Sequence, residues 1–520
     1  MLQLTFQLNS ADKTPLYEQL YAAIAAQIRD GSIAAGTKLP GKRSLANELS
    51  ISVNTVDTAY QILAAEGYLE ARPRSGFFTH SYREIQPFAN RAAHPLPSEP
   101  QKNSTTTQAP PSASVQGTHP PCTAQPSATP PRFDLSGTGI DPTLFPFRTW
   151  GRIQKELLYA SPELLLRGAA QGDENLRTAL AEYLGAFRGV RCHAGQIVVG
   201  AGMEYLLSLL APLLPRHGGV ENPGYPRAKA VLENNDIQCS HLPLDEKGLS
   251  VSALQESGAD FCYVTPSHQY PTGVTMPVGR RAELLLWANE GACTAQTDAS
   301  TAPYHAKTGD EPAPPMRYII EDDYDSEFRF DVRPLPSLQG MAGAAGNVIY
   351  LATFSKSLAP SIRIAAMVLP EPLLCAWHAR YGSYASTVSR FEQQTLCRFL
   401  QEGYFTRHLA RTRGIYKARR NALVQALEDA FGKENIQLQG VHTGLHLLLQ
   451  LKNAPPDTEI AARCGEMGIK ITPLRASYAG QGTACPPSTV LLGYGALREE
   501  DAPQVAQQMA QAMGQAIPLA

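Results

Sequence analysis

The chain has 520 residues, 43% hydrophobic and 18% charged, with a formal net charge of −2, which is ordinary globular composition and room for about three domains. No run of 18 or more apolar residues occurs and the first residues lack the order of a secretory leader, so a cytoplasmic protein without membrane contact is expected. Nine scattered cysteines with no C-x-x-C pair argue against a zinc ribbon or a disulfide framework, and the near-neutral charge means that any nucleic-acid binding must be local.

The first 80 residues read as a compact unit. Leu16, Leu20, Ile24 and Ile28 recur every four residues, the stripe of one amphipathic helix that Gly31 and Gly36 close. A short second helix follows Pro40 over about 42–49. Ser52 is placed to cap a third, in which Val56, Tyr60 and Leu63 share a face. Short strands near Leu69 and over 77–79 flank the turn Arg72-Pro73-Arg74-Ser75-Gly76, completing a winged helix-turn-helix. Lysines and arginines number seven over residues 1–80, as do acids. The cations nevertheless cluster at Lys38, Lys42, Arg43, Arg72 and Arg74.

Within this unit Leu39-Pro40-Gly41-Lys42-Arg43-Ser44-Leu45-Ala46, Asn54-Thr55-Val56, Ala59-Tyr60, Glu66-Gly67-Tyr68 and Ser75-Gly76 resemble the DNA-binding domain of GntR-type regulators. The resemblance implies that Arg43 approaches duplex DNA and that Ser52, Asn54 and Thr55 open the recognition helix. The wing tip, with Arg72, Arg74 and Gly76, is implied to reach a groove. Val53 stands where that family usually has arginine, which removes one polar contact.

Residues 92–131 hold ten prolines and eleven serines or threonines, with Glu99 and Lys102 the charged residues. Such a segment buries no core and is expected to be a flexible linker. The division expected is 1–82 for the DNA-binding domain, 83–131 for the linker and 132–520 for the rest, with a mobile insertion near 292–316 and a smaller subdomain from about 389.

After the linker, strand and helix alternate, the mark of a mainly parallel α/β sheet. The apolar run Val348 to Ala352 leads into Thr353-Phe354-Ser355-Lys356 and, seven residues past the lysine, Arg363. A lysine at a strand's carboxyl end with hydroxyls and a guanidinium nearby has the parts to hold pyridoxal 5'-phosphate, the amine forming a Schiff base and the other groups facing the phosphate. Alone it reads equally as a surface lysine. Other segments add to it. The strand Ile197-Val198-Val199 runs into Gly200-Ala201-Gly202-Met203-Glu204, a glycine-rich turn at a helix start that offers N–H groups to an anion. Tyr318-Ile319-Ile320 leads into Glu321-Asp322-Asp323-Tyr324-Asp325, five acids in seven residues up to Glu327, which could also be a solvated loop or a metal site.

The order of these segments, with Asn222-Pro223-Gly224-Tyr225-Pro226-Arg227 and Ser267-His268-Gln269-Tyr270-Pro271-Thr272-Gly273 between them, resembles the fold type I aminotransferase-like domain of MocR regulators, a branch of the GntR group. The resemblance implies that Tyr225 stacks on the pyridine ring, Asp322 faces its nitrogen and Tyr324 bonds its hydroxyl. Gly202, Met203, Thr353, Ser355 and Arg363 are implied to serve the cofactor, and Lys356 to carry it. Arg227 and Arg475, the latter ending Ile469-Lys470-Ile471-Thr472-Pro473-Leu474-Arg475, are implied to bind the effector. Tyr270 replaces the asparagine of metabolic aminotransferases, and His268 reads as a local structural residue; no metal site is expected.

The reading is therefore a DNA-binding transcriptional regulator, a homodimer whose long linker permits exchange of the DNA-binding domains, that senses a small amine or amino acid as an external aldimine. A working aminotransferase with a DNA-binding appendage is the alternative, and a second domain that serves only for dimerisation is a third.

Overall fold

The structure is a computed structural model that describes residues 15–79 and 131–514, apart from 30–31, 35, 50, 66–67, 73–75, 138, 294–315, 331–334, 345 and 481–484. The linker expected over 83–131 lies outside the described residues except at its last position, and the insertion expected over 292–316 does so except at its ends. Arg74 also lies outside them.

The N-terminal unit is three helices, α1 (Leu16–Arg29), α2 (Lys42–Glu48) and α3 (Val53–Ala65), followed by the hairpin of β1 (Leu69–Arg72) and β2 (Gly76–Thr79). Its apolar periodicity is used as the spacing demands: Leu20, Ile24 and Ile28 of α1 meet Val56, Tyr60 and Leu63 of α3 in one buried cluster. Ser52 caps α3, its Oγ accepting the Thr55 N–H at 3.0 Å. The Tyr60 hydroxyl donates to the Pro40 carbonyl at 2.9 Å, tying α3 to the turn before α2. Val278 and Leu335 of the large domain complete the same cluster.

Beyond the linker, β3 (Phe133–Asp134) and helices α4 (Phe147–Ala160) and α5 (Glu174–Arg188) precede the main sheet. Its strands are β4 (Ile197–Gly200), β5 (His217–Asn222), β6 (Gln238–Asp245), β7 (Gly248–Leu249), β8 (Phe261–Val264), β9 (Tyr318–Asp323), β10 (Val348–Thr353) and β11 (Ala365–Val368). They lie in the order β4-β11-β10-β9-β8-β5-β6-β7. The five strands from β10 to β6 in that order run parallel, while β11 is antiparallel to both of its neighbours. Two-residue alternation explains why β10 serves two cores: Ile349 and Leu351 face one apolar cluster and Tyr350 another. Covering both faces is what a parallel sheet requires, and it leaves the carboxyl edge as the place for ligands.

A second sheet holds β12 (Ile436–Gln439), β13 (His446–Leu451), β15 (Thr472–Pro473) and β16 (Thr489–Gly493) in the order β12-β13-β16-β15, while β14 (Ile469–Lys470) pairs with β3. This small domain therefore borrows residues from just after the linker: Leu135 sits in its core. The start expected near 389 differs from the packing. Leu396, Cys397 and Phe399 of the helix Arg390–Gln401 belong to the core of α4 and α5. The long helix Tyr404–Phe431 passes from one core to the other between Leu409 and Tyr416. A helix that spans two cores leaves no break for a sequence pattern to mark.

Candidate functional site

The cleft at the carboxyl edge is lined by Met203, Glu204, Tyr225, Arg227, Thr265, Tyr270, Asp322, Tyr324, Asp325, Thr353, Ser355, Lys356, Arg363 and, from the small domain's side, Gly137, Leu445 and His446. Strand ends of β4, β5, β8, β9 and β10 each deliver part of this set. Lys356 is half-buried and donates to the Gly137 carbonyl at 2.5 Å. Burial, assisted by the charge of Arg227 and opposed by Asp325, brings its amine down to about 8. A lysine so placed carries free amine near neutral pH, as a carbonyl-capturing residue needs.

The acids of β9 are buried and turn to different partners. Strand alternation sends Glu321 and Asp323 to one side and Asp322 to the other. Glu321 accepts the N–H groups of Leu338 and Gln339 at 3.0 and 2.9 Å. Asp323 takes Arg188 at 2.5 Å and the Tyr350 hydroxyl at 2.5 Å; burial pushes it up, but these partners outweigh burial and hold it below the usual carboxylate range. Asp322, in the cleft, accepts the Tyr263 hydroxyl and has no ion-pair partner among the described residues. Burial, with Asp323 and Asp325 adding to it, pushes the carboxyl up to about 7. Such an acid is matched to a heterocyclic nitrogen with which it can share a proton.

Tyr324 donates to the His268 carbonyl at 2.9 Å, and His268 Nδ1 lies 2.9 Å from Asp325 Oδ2. The ligating atoms of His268, Asp325 and His446 fall within 4.8 Å of one another. His268 Nδ1 is nevertheless committed to Asp325, and His446 Nε2 to the Pro271 carbonyl at 3.2 Å. Burial, then the charges of His268 and Lys356, hold His446 well below its ordinary pKa, so it is neutral. His268 and Asp325 form a hydrogen-bonded brace behind Tyr324, with the His446 ring packed against His268 at 4.5 Å. The aromatic wall continues with Tyr225 and Tyr270, whose rings meet edge to face at 5.3 Å.

At the other end of the cleft, Gly202 holds φ +94° and a Cβ there would sit 2.2 Å from the Arg363 guanidinium. The positive φ favours glycine here, and its bare Cα lets the Arg363 guanidinium lie against the turn, the arrangement an anion site uses. Arg363 itself has a left-handed backbone, φ 53°, which folds its guanidinium back to donate to the Ala201 carbonyl at 3.0 Å. Thr353 and Ser355 hydroxyls lie 2.9 Å apart beside it. An acid for a ring nitrogen, an aromatic wall, a lysine of lowered pKa and a glycine cradle with its arginine fit pyridoxal phosphate.

Most residues expected from the sequence thus meet in one cleft. Arg475 does not. It sits in the turn Leu474–Ser477, its side chain 57% exposed, with its backbone N–H on Asp457 at 2.8 Å. Glu204, Asp325, Thr265, Gly137 and His446 also line the cleft, beyond the residues expected there from the sequence; His446 comes from a distant segment, the small domain's β13. In the N-terminal unit Arg43, Ser52 and Asn54 are exposed and Thr55 is half-buried, all near the start of α2 or α3. Lys42 pairs with Asp57, and Arg72 with Glu70 at 2.9 Å. Val53 is 42% exposed, a bare apolar side chain where a polar contact would otherwise stand.

A winged helix-turn-helix joined to an aminotransferase-like domain defines a class of transcriptional regulator, and the comparisons with known proteins agree. Residues 16–79 match the family described as bacterial regulatory proteins, gntR family. The chain is 35% identical to the uncharacterized HTH-type transcriptional regulator YdeL of Bacillus subtilis (strain 168), over 96% of this chain and 97% of that one. It is 31% identical to the probable rhizopine catabolism regulatory protein MocR of Rhizobium meliloti, over 92% and 90% respectively. Among solved structures it resembles a multiple substrate aminotransferase from Thermococcus profundus, with TM-score 0.62 and 25% identity over 74% of this chain and 92% of that chain. The chain belongs to the MocR-type regulators of the GntR group. No helix among the described residues is long and apolar enough to cross a membrane.

Proposed function

We propose that this regulator holds pyridoxal phosphate on Lys356 and uses the loaded cleft to read a small amine or amino acid. The observation that carries the reading is the convergence of Lys356, Asp322, Tyr225, Tyr324 and Arg363 on one cleft. When bound, the cofactor supplies an electrophilic aldehyde carbon and an electron-withdrawing ring. The chain's own residues do the rest. Asp322 holds a proton at the ring nitrogen, Tyr225 and Tyr324 fix the ring's plane and hydroxyl, and the turn at Gly202 with Met203, Thr353, Ser355 and Arg363 anchors the phosphate. Lys356, once displaced by an incoming amine, is a free base that can hold or move a proton.

Arg227, in the cleft wall, and Arg475, outside it, are the groups we assign to the effector's acid end. An effector bonded at the cofactor end and gripped by Arg475 draws the small domain toward the large one, and only such a differential contact shifts the population of a closed state. The DNA-binding face is Arg43, Ser52, Asn54, Thr55, Arg72, Arg74 and Gly76, presented as a pair by a homodimer to two half-sites. The test sets effector-dependent change in the DNA footprint, across a panel of amines and amino acids, against steady-state transamination with the same donors. Turnover at ordinary enzyme rates, about 1–10³ per second, with a footprint indifferent to every donor would replace the sensor by a working aminotransferase.

A further inference from the structure

Glu204 stands where an anion is expected. It is the second residue of α6 (Met203–Leu210), directly after the Gly202 turn. Its Oε2 accepts from Arg363 Nη2 at 3.1 Å, and Oε1 lies 3.5 Å from Arg227 Nη1. Burial works against the charge, but the residue's own backbone N–H and the two guanidinium groups outweigh it, so the carboxyl is held below its usual range. A helix-terminal amide and Arg363 are the donors a phosphate at this turn would take.

We propose that Glu204 is a built-in anion that competes with the cofactor's phosphate for Arg363 and the start of α6, so that loading the cleft requires its displacement. The inference rests on the pyridoxal phosphate reading. The charge balance gives its direction. Two arginines and one carboxylate together carry a single positive charge, and a phosphate dianion added to them leaves a single negative one. With a neutral residue at 204 the same dianion would be matched by the two arginines. Displaced from Arg363, Glu204 retains Arg227, the more exposed of the two cations. The Glu204–Arg363 pair is thus an alternative to a phosphate on the same cation, and this regulator releases cofactor more readily than the same cleft without the acid.

The test uses the full chain freed of cofactor, titrated with pyridoxal phosphate and separately with pyridoxal, and read by the visible absorbance of the lysine adduct. Glu204→Gln should tighten pyridoxal phosphate by about tenfold or more, the effect of removing one like charge beside a bound dianion, and leave pyridoxal unchanged. Glu204→Ser should do the same, so that a defect peculiar to one variant is recognised. Unchanged or weaker pyridoxal phosphate binding in both variants overturns the proposal, as does equal tightening of both ligands, which would place the acid's effect on the aldehyde end. Absence of colour with either ligand in wild type and variants alike refutes the cofactor reading itself, and the inference with it.

Discussion

The lowered pKa of Lys356 can be tested on the lysine alone, before any effector is known. An ordinary lysine near 10.4 carries roughly one free amine in a thousand at pH 7.5, whereas a group at about 8 carries about a quarter, a gain on the order of 200-fold. Burial is the main cause, Arg227 adds to it, and Asp325 opposes it. Two perturbations therefore move the group in opposite directions. Arg227→Gln removes a repelling cation and should shift the titration to higher pH; Asp325→Asn removes an attracting anion and should shift it to lower pH. Trace labelling of the cofactor-free protein with acetic anhydride over pH 6–11, with the Lys356 peptide followed by mass spectrometry, measures the free-amine fraction directly. Wild type should inflect near 8. An inflection above 10 in wild type, or displacements of the same sign in the two variants, would show that the cleft does not prepare this amine as argued.

Asp322 gives a pH prediction of stability. Its carboxyl titrates at about 7 in the fold and near 3.9 unfolded, so the folded cofactor-free protein binds more protons and this residue's contribution falls as pH rises from about 4 to 7. Asp322→Asn should accordingly gain on wild type at pH 8 relative to pH 5 in urea unfolding; a pH-independent difference would refute the raised carboxyl. Arg188→Met strips the buried Asp323 of its cation and should cost about 3–5 kcal/mol, with a change under about 1 kcal/mol in the same assay removing the claim that this pair holds the end of β9. Arg43→Ala should weaken DNA binding uniformly across sequences and lower the slope of log K against log salt by about one; an unaltered slope would take Arg43 off the phosphates. Arg475→Ala should weaken the effector-dependent footprint change by about 1.5–3 kcal/mol of binding while the protein keeps its colour, and identical titrations would remove the effector role.

How legible this was depended on how far apart in the chain the cooperating residues lie. The stripe Leu20, Ile24, Ile28 and the cap at Ser52 are local, and each appears where the spacing put it. Lys356 was legible because an apolar strand delivers it to an edge where ligands bind. His446 was not, because it reaches the cleft from β13, in another sheet, and carries no local pattern. Gly137 likewise contributes a backbone carbonyl to Lys356 across 219 residues. Arg475 illustrates the converse: its place at the end of a short strand is as expected, yet its turn holds it at Asp457 rather than in the cleft.

The acids from Glu321 to Asp325 show why a run of like charge cannot be assigned from sequence alone. Read as a string they suggest a solvated loop, a metal cage or a cofactor site. In the fold each is buried against a different partner: two backbone N–H groups for Glu321, the Tyr263 hydroxyl for Asp322, an arginine for Asp323 and a histidine for Asp325. Adjacent carboxyls consequently differ in state, with Asp323 held low and Asp322 raised. This pairing also joins the cleft to the DNA-binding unit. Arg188, which neutralises Asp323, approaches the Leu335 carbonyl at 3.5 Å, and the Leu335 side chain lies in the same apolar cluster as Leu20, Val56 and Leu63. The end of β9 is thus connected, through one ion pair and one carbonyl contact, to the apolar surface against which the helix-turn-helix packs. Contiguity of this kind supplies a route and not a switch; the switch requires that the two ends of an effector favour different placements of the small domain, which the separation of Arg475 from the cleft allows.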